Sequence, residues 1–351
     1  MRIALIRRVS ITGFDGVNKF IALLAEGLAK LGHEPVIISL CHEGVEDREL
    51  TRWFKEAHCL DLEIPIHTLR HECGGSWLSI AWNWWWKGSK LLRKEGVDAA
   101  IVNGVVPLRF SPKIIVNHGV FTDGISTAGK LYRWVAKLLY RRYDAVACVS
   151  NKLRSEVKSD LGVDCRVVPL PMKLELYKPA SLGERGNVIV HIGTRPIKNP
   201  QISIEAIKIL RKRGYNVKLV MIGAPIGIPS DEAVEFRSGL MESEKLKLLC
   251  RAKALILPSS YETFSYVTLE AMACGTPVVV SGAVPEEVVI DGYNGIRVNS
   301  YDSRDYANAL EKLLLNEELW LKLSRNGLEF VKQFDHVWIA KEYEAMIKKV
   351  L

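Results

Sequence analysis

The chain has 351 residues, 48% of them apolar and 25% charged, enough to bury one large core or two and too apolar for an intrinsically disordered chain. With 48 basic against 40 acidic residues its formal net charge is +8, which favours an anionic partner; phosphorylated small molecules, anionic lipid and nucleic acid all fit that charge. The longest uncharged stretches, Cys73 to Trp86 and Ala271 to Pro285, are too short to span a bilayer, so no spanning helix is expected.

Arg2 to Ile6 reads as a first strand. Its apolar run of four is closed by Arg7 and Arg8, the pattern of a buried strand and not of a secretory signal, so a cytoplasmic location is expected. A glycine-containing loop, Thr12-Gly13-Phe14-Asp15-Gly16, follows, and Phe20, Leu23, Leu24, Leu28 and Leu31 then mark one helical face that ends at Gly32. Pro35 to Leu40 is the next strand, with others expected at Ala99 to Val102, Lys113 to Val116, Ala145 to Val149 and Arg166 to Val168. Pro169 to Pro179 and the polar Ser181 to Gly186 read as a linker. A second alternating series has strands at Val188 to Ile192, Val217 to Ile222, Ala254 to Leu257 and Pro277 to Val280, and helices near 200–213, 242–251, 265–274 and 303–334. The fold class is therefore α/β, with two Rossmann-like halves whose intervening cleft is the expected ligand site.

Seven cysteines, at 41, 59, 73, 148, 165, 250 and 274, are odd in number and lack a CxxC spacing, which predicts reduced thiols, most of them buried as small apolar residues. His42, His58, His67 and His71 crowd around the first three cysteines, but the spacings match no common zinc motif. No D-x-D triplet occurs, so the usual carboxylate pair for a divalent metal on a diphosphate is missing and no metal site is expected.

The most informative segment runs from Leu257-Pro258-Ser259-Ser260-Tyr261-Glu262-Thr263-Phe264-Ser265 through Glu270-Ala271-Met272-Ala273-Cys274-Gly275 to Pro277-Val278. A buried strand enters a loop of small residues, and a helix begins near Ser265. Free amides at that helix N-terminus suit an anion, and Glu270, one turn in, reaches a ligand hydroxyl. Glu262 lies on the loop just ahead. One carboxylate for sugar hydroxyls, amides for phosphate and a second carboxylate for ribose suit a sugar joined to a nucleotide.

This stretch resembles the E-x7-E region of retaining glycosyltransferases with the GT-B fold, particularly glycosyltransferase family 4, and carries each fixed position of its P-S-x-x-E-x-F and E-A-M-A-x-G-x-P-V pattern. The resemblance implies Glu262, Thr263, Phe264, Ser265 and Glu270 as donor-site residues. His191-Ile192-Gly193-Thr194-Arg195-Pro196-Ile197-Lys198-Asn199-Pro200 resembles the family's G-R-x-x-x-x-K-[GN] turn, with a shorter loop, and implies that Arg195 and Lys198 grip the diphosphate. Gly16 stands nearest the family's donor-approaching glycine, with Val17 where many members have a second Gly; His118, in Val116-Asn117-His118-Gly119, stands where the family places a histidine facing the donor sugar. Val234 to Met241 resembles the base-pocket segment, and the Trp338-x4-Glu342-Tyr343 helix resembles the one that crosses back to the first domain. The implied domains are 1–175 with a returning helix at 337–351, and 176–336.

The implied activity is retaining, metal-independent transfer of a hexosyl unit from a nucleotide-diphosphate sugar, the co-substrate, to a sugar, lipid or glycan acceptor, with no separate cofactor. A nucleotide-sugar epimerase on the same fold, or a non-catalytic basic lipid-binding protein on a decayed scaffold, are the alternatives; no nucleic-acid-binding motif is present. Two basic, Trp-bearing stretches of the first half bear on the acceptor. Trp77, Trp82, Trp84, Trp85 and Trp86 precede Lys87, Lys90, Arg93 and Lys94, and Lys130 to Arg142 interleaves Lys130, Arg133, Lys137, Arg141 and Arg142 with Leu131, Trp134, Leu138 and Leu139. Docking on the cytoplasmic face of an anionic membrane, packing as crossover helices, and stacking on an acceptor sugar all fit them.

Overall fold

The computed structural model describes residues 1–40, 45–69, 77–119, 129–225, 227 and 232–351, without the side chains of 77 and 129–133. Cys41, His42, His71 and Cys73 of the Cys/His-rich stretch lie outside the described residues, as do the side chains of Trp77, Lys130, Leu131 and Arg133. Backbone packing divides the chain into a first unit, Met1–Lys173 with Phe334–Leu351, and a second, Leu174–Gln333.

In the first unit seven parallel strands are β1 (Arg2–Arg7), β2 (Glu34–Leu40), β3 (Ile66–Leu69), β4 (Ala99–Asn103), β5 (Lys113–Asn117), β6 (Ala145–Cys148) and β7 (Arg166–Val167), in the order β3-β2-β1-β4-β5-β6-β7. Ile3 to Ile6 are fully buried, the continuous apolar run that a parallel strand covered on both faces needs. Helix α1 (Gly16–Lys30) follows β1, with the Asp15 carboxylate accepting the Val17 and Asn18 amides at its N-terminus. Then come α2 (Asp47–Ala57), α3 (Trp77–Asn83), a π turn at Trp84–Gly88, α4 (Ser89–Lys94), α5 (Gly129–Tyr140) and α6 (Asn151–Leu161). Ser150 caps the start of α6 and Gly162, at φ 62°, ends it.

The second unit has six parallel strands, β8 (Val188–Ile192), β9 (Lys218–Ile222), β10 (Val234–Arg237), β11 (Ala254–Leu257), β12 (Val278–Ser281) and β13 (Ile296–Val298), in the order β10-β9-β8-β11-β12-β13. Its helices are α7 (Pro200–Lys212), α8 (Glu242–Arg251), α9 (Tyr266–Ala273), α10 (Ser303–Leu315) and α11 (Glu317–Val331). Ile189, Leu219, Ile256 and Val279 pack with Ile207 of α7 and Tyr306 and Leu310 of α10 in one core. Finally α12 (His336–Val350) returns to the first unit and packs on α1.

Two expectations are corrected. The single helix over 303–334 is two helices: Asn316 leaves helical conformation (φ −118°, ψ 94°), and its side chain accepts the Leu319 amide to start α11. Apolar periodicity runs through both halves, so only the capping asparagine marks the break. Among the described residues four cysteines are not reduced thiols but form the disulfides Cys148–Cys165 and Cys250–Cys274, with Cα–Cα separations of 5.8 and 4.5 Å. The partners are 17 and 24 residues apart in sequence; neighbouring strands in one case and neighbouring helices in the other bring them together. All four are buried, as expected.

Candidate active site

In an open parallel sheet, ligands bind beyond the strands' C-terminal ends where the strand order reverses. In the second unit that point lies between β8 and β11, because β9 and β10 add to one side of β8 and β11 to the other. The turn after β8 and the loop after β11 are the two segments singled out above.

Gly193, at φ 99°, makes the turn after β8, and a Cβ there would stand 3.2 Å from Cγ of Lys198. Glycine therefore serves both the left-handed backbone and the close passage of the lysine stem. Buried His191 braces the turn: its Nε2 lies 2.7 Å from the Gly193 carbonyl, which only accepts, so Nε2 donates and Nδ1 accepts from the Ser203 hydroxyl at 2.8 Å. Burial above all, with Lys198 nearby adding to it, pushes the imidazole down to about 4, so it is neutral at pH 7. Asn199 adopts the left-handed region (φ 48°) ahead of Pro200 and donates to the Pro258 carbonyl at 2.8 Å, and the Ser260 amide donates to the Ile197 carbonyl at 2.8 Å. The turn and the loop are thereby stitched together.

Across that seam, Lys198 Nζ lies 2.5 Å from Glu262 Oε1, which also accepts the buried Ser259 hydroxyl at 2.8 Å. Lys198 and Glu262, expected on different parts of a donor, are thus each other's partners here. Arg195 is exposed and makes no ion pair with a described residue. Thr263 is half-buried, and Phe264 and Ser265 are buried. Ser265 sits at φ 91° immediately before α9, its hydroxyl 2.9 Å from that of Thr268. Glu270, one turn inside α9 and buried, is held by Lys245 of α8 at 2.9 Å, and Lys245 also meets Glu242 at 2.8 Å. The two glutamates of the motif therefore stand in separate ion-paired environments. Val234 to Met241 begins as β10, at the edge of this sheet.

In the first unit the strand order reverses between β1 and β4. Gly16 opens α1 and is exposed, but the Asp15 carboxylate already takes the first amides of that helix and pairs with Arg7 at 2.8 Å. His118, just past β5, lies 2.9 Å by Nε2 from Oδ1 of Asn103, whose amide nitrogen donates to the Ile6 carbonyl. Nε2 is therefore the donor nitrogen and Nδ1 the acceptor. Its ring packs edge-on against Phe20, centroids 4.6 Å apart, and burial, then the charge of Arg7, pushes it down to about 3. A neutral imidazole at pH 7 is suited to hydrogen bonding and not to supplying a proton.

The sequence reading assigned no role to His191, Asn199, Ser259 or Lys245. Asn199 was signalled by its place before Pro200, since a helix preceded by a left-handed residue favours Asn or Gly. Lys245 had no such signal, because its partner Glu270 is 25 residues on.

Anabaena HepE, solved in complex with UDP and glucose, superimposes with a TM-score of 0.76 at 17% identity, covering 99% of this chain and 100% of that one. The model for Glycosyltransferase Family 4 matches residues 14–176 and that for Glycosyl transferases group 1 matches residues 175–330. The chain is a GT-B glycosyltransferase resembling family 4. The glycosyltransferase is also 29% identical over 194 residues to the D-inositol 3-phosphate glycosyltransferase of Stackebrandtia nassauensis, covering 49% of this chain and 44% of that protein. Over 293 residues it is 26% identical to an uncharacterized glycosyltransferase of Methanocaldococcus jannaschii, covering 77% of this chain and 81% of that protein. The chain thus spans under half the length of the first relative. Among the described residues no helix is long and apolar enough to cross a membrane.

Proposed function

We propose that the protein transfers a hexosyl unit from a nucleotide-diphosphate sugar to a sugar, lipid or glycan hydroxyl with retention at the anomeric carbon. The observation that carries this reading is the Lys198–Glu262 pair at the strand-order reversal, with Ser259 behind it and the amide end of α9 following. An arriving diphosphate competes for Lys198 and meets the exposed Arg195 and the α9 amides. Glu262 then turns from its lysine to sugar hydroxyls, and Glu270, fixed by Lys245, accepts from the ribose. As the bond from C1 to the diphosphate oxygen breaks, the acceptor oxygen bonds C1 from the same face and its proton passes to the departing oxygen. Arg195 and Lys198 stabilise the charge that grows there.

The two glutamates separate experimentally. Glu270→Gln is expected to weaken both the intact donor and the free nucleotide diphosphate about 10- to 100-fold, the usual range for losing a charged hydrogen bond, because both ligands contain ribose. Glu262→Gln is expected to spare the free nucleotide and depress turnover. Calorimetric nucleotide affinity and turnover of both variants test the assignment; swapped behaviour reverses it, and no effect from either removes the donor site from this loop. Because basic side chains and amides carry the phosphate charge, EDTA is expected to leave turnover intact. A loss restored by magnesium or manganese would contradict that.

A further inference from the structure

Leu78, Trp82 and Trp86 of the first unit recur every fourth residue and are 73, 67 and 60% exposed. Four-residue spacing sets them along one side of the helical run of α3 and the π turn. The core does not need them. Of the described tryptophans in this run, Trp84 is the one turned inward, fully buried, its indole N–H 3.3 Å from the Arg8 carbonyl and its ring so close to Gly88 that a Cβ there would stand 2.7 Å away. Trp85 is half-buried beneath the Arg109 guanidinium, 5.3 Å from its centroid. The π turn thus gives three consecutive tryptophans three different environments.

Charge adds a second, independent feature. From Trp77 to Lys94 there are four cations and no carboxylate; all four are exposed, and Lys87, Lys90 and Lys94 make no ion pair with a described residue. Helix α5 repeats the design with Trp134 at 60% and Leu138 at 41% exposure, followed by exposed Arg141 and Arg142. The connections from β3 to β4 and from β5 to β6 cross the sheet in the same sense, so right-handed crossovers put both on the same face, opposite α1 and α2.

We propose that this face of the first unit docks on an anionic lipid bilayer, with Leu78, Trp82 and Trp86 entering the headgroup boundary and the flanking lysines and arginines meeting lipid phosphates. Tryptophan favours that boundary, and a basic apolar helix face lies along it. The inference names a partner beyond the transfer reaction and rests on that reading only for its biological purpose.

Sedimentation of the full chain with phosphatidylcholine vesicles, alone and with about a third phosphatidylglycerol, tests it at about 0.1 and about 0.5 M salt. Binding is expected to be at least roughly tenfold tighter to the anionic vesicles at low salt, and tryptophan emission is expected to be quenched by lipids brominated in their tails. Trp82→Ser with Trp86→Ser should abolish the quenching, and changing Lys87, Lys90, Arg93 and Lys94 to Gln should abolish the preference for anionic lipid. Nucleotide diphosphate affinity, unchanged in both variants, reports the second unit separately, so loss of donor binding with intact docking would fault only the transfer reading. Failure to bind anionic vesicles, equal binding to neutral ones, or a tryptophan variant that binds like the parent overturns the proposal. So does a shift from dimer to monomer in that variant without vesicle binding, which would assign the face to a second copy.

Discussion

Between pH 6.5 and 4 the unfolded chain takes up a proton that buried His191 refuses, because its folded value is about 4 against an ordinary 6.5. More protons on the unfolded state means that stability rises with pH across this window: the contribution is complete above 6.5 and is lost as pH falls toward 4. The slope approaches about 1.4 kcal/mol per pH unit for one such group. Urea melts of the second unit at pH 7.5 and pH 5 should therefore differ by roughly 2 kcal/mol more in the parent than in His191→Gln. Identical pH dependence would mean that the imidazole takes up its proton as readily in the folded state as in the unfolded chain. This residue also marks a limit of sequence reading. Glu262, Lys198 and Glu270 were legible because a dense local motif contains them, whereas the carbonyl that His191 holds and the lysine that holds Glu270 become partners only through folding.

Helices and strands were legible to the extent that their signal was local. Alternating apolar runs and amphipathic stretches gave the two parallel sheets, since strands buried on both faces must be apolar throughout. The short strands β3 and β13 and the helix break at Asn316 rested on pairing and capping, which periodicity does not encode. The disulfides were illegible for the same reason. Each closes a loop of modest length, and constraint of the unfolded chain gives roughly 3 kcal/mol for a loop of that size. Reduction is thus expected to lower stability by about that amount per bridge, read as a fall in denaturant midpoint with a phosphine reductant and matched by Cys148→Ser and Cys250→Ser without it. Midpoints unmoved by reductant would show that the sulfurs are not bonded in solution.

At the scale of the molecule the second unit is one continuous segment, whereas the first is completed by the last residues of the chain. Helix α12 lays Ile339, Ala340, Tyr343 and Ile347, all buried, over the first unit, with Tyr343 5.8 Å from the Phe20 ring. Burial of four such side chains contributes on the order of 5–10 kcal/mol, comparable to the whole stability of a domain. Removing Phe334–Leu351 should therefore release the amides of α1 to rapid hydrogen exchange while those of β8 and β11 stay protected; equal protection would make the returning helix dispensable. The same topology imposes an order on birth at the ribosome. The first half of the chain emerges with one side of α1 bare, and at cellular rates of synthesis roughly 10 to 30 s pass while Leu174–Gln333 is made. Met1–Lys173 is thus made before Leu174–Gln333 but completed after it, and a nascent chain stalled just past Gln333 carries a whole second unit tethered to a first one that still lacks its returning helix.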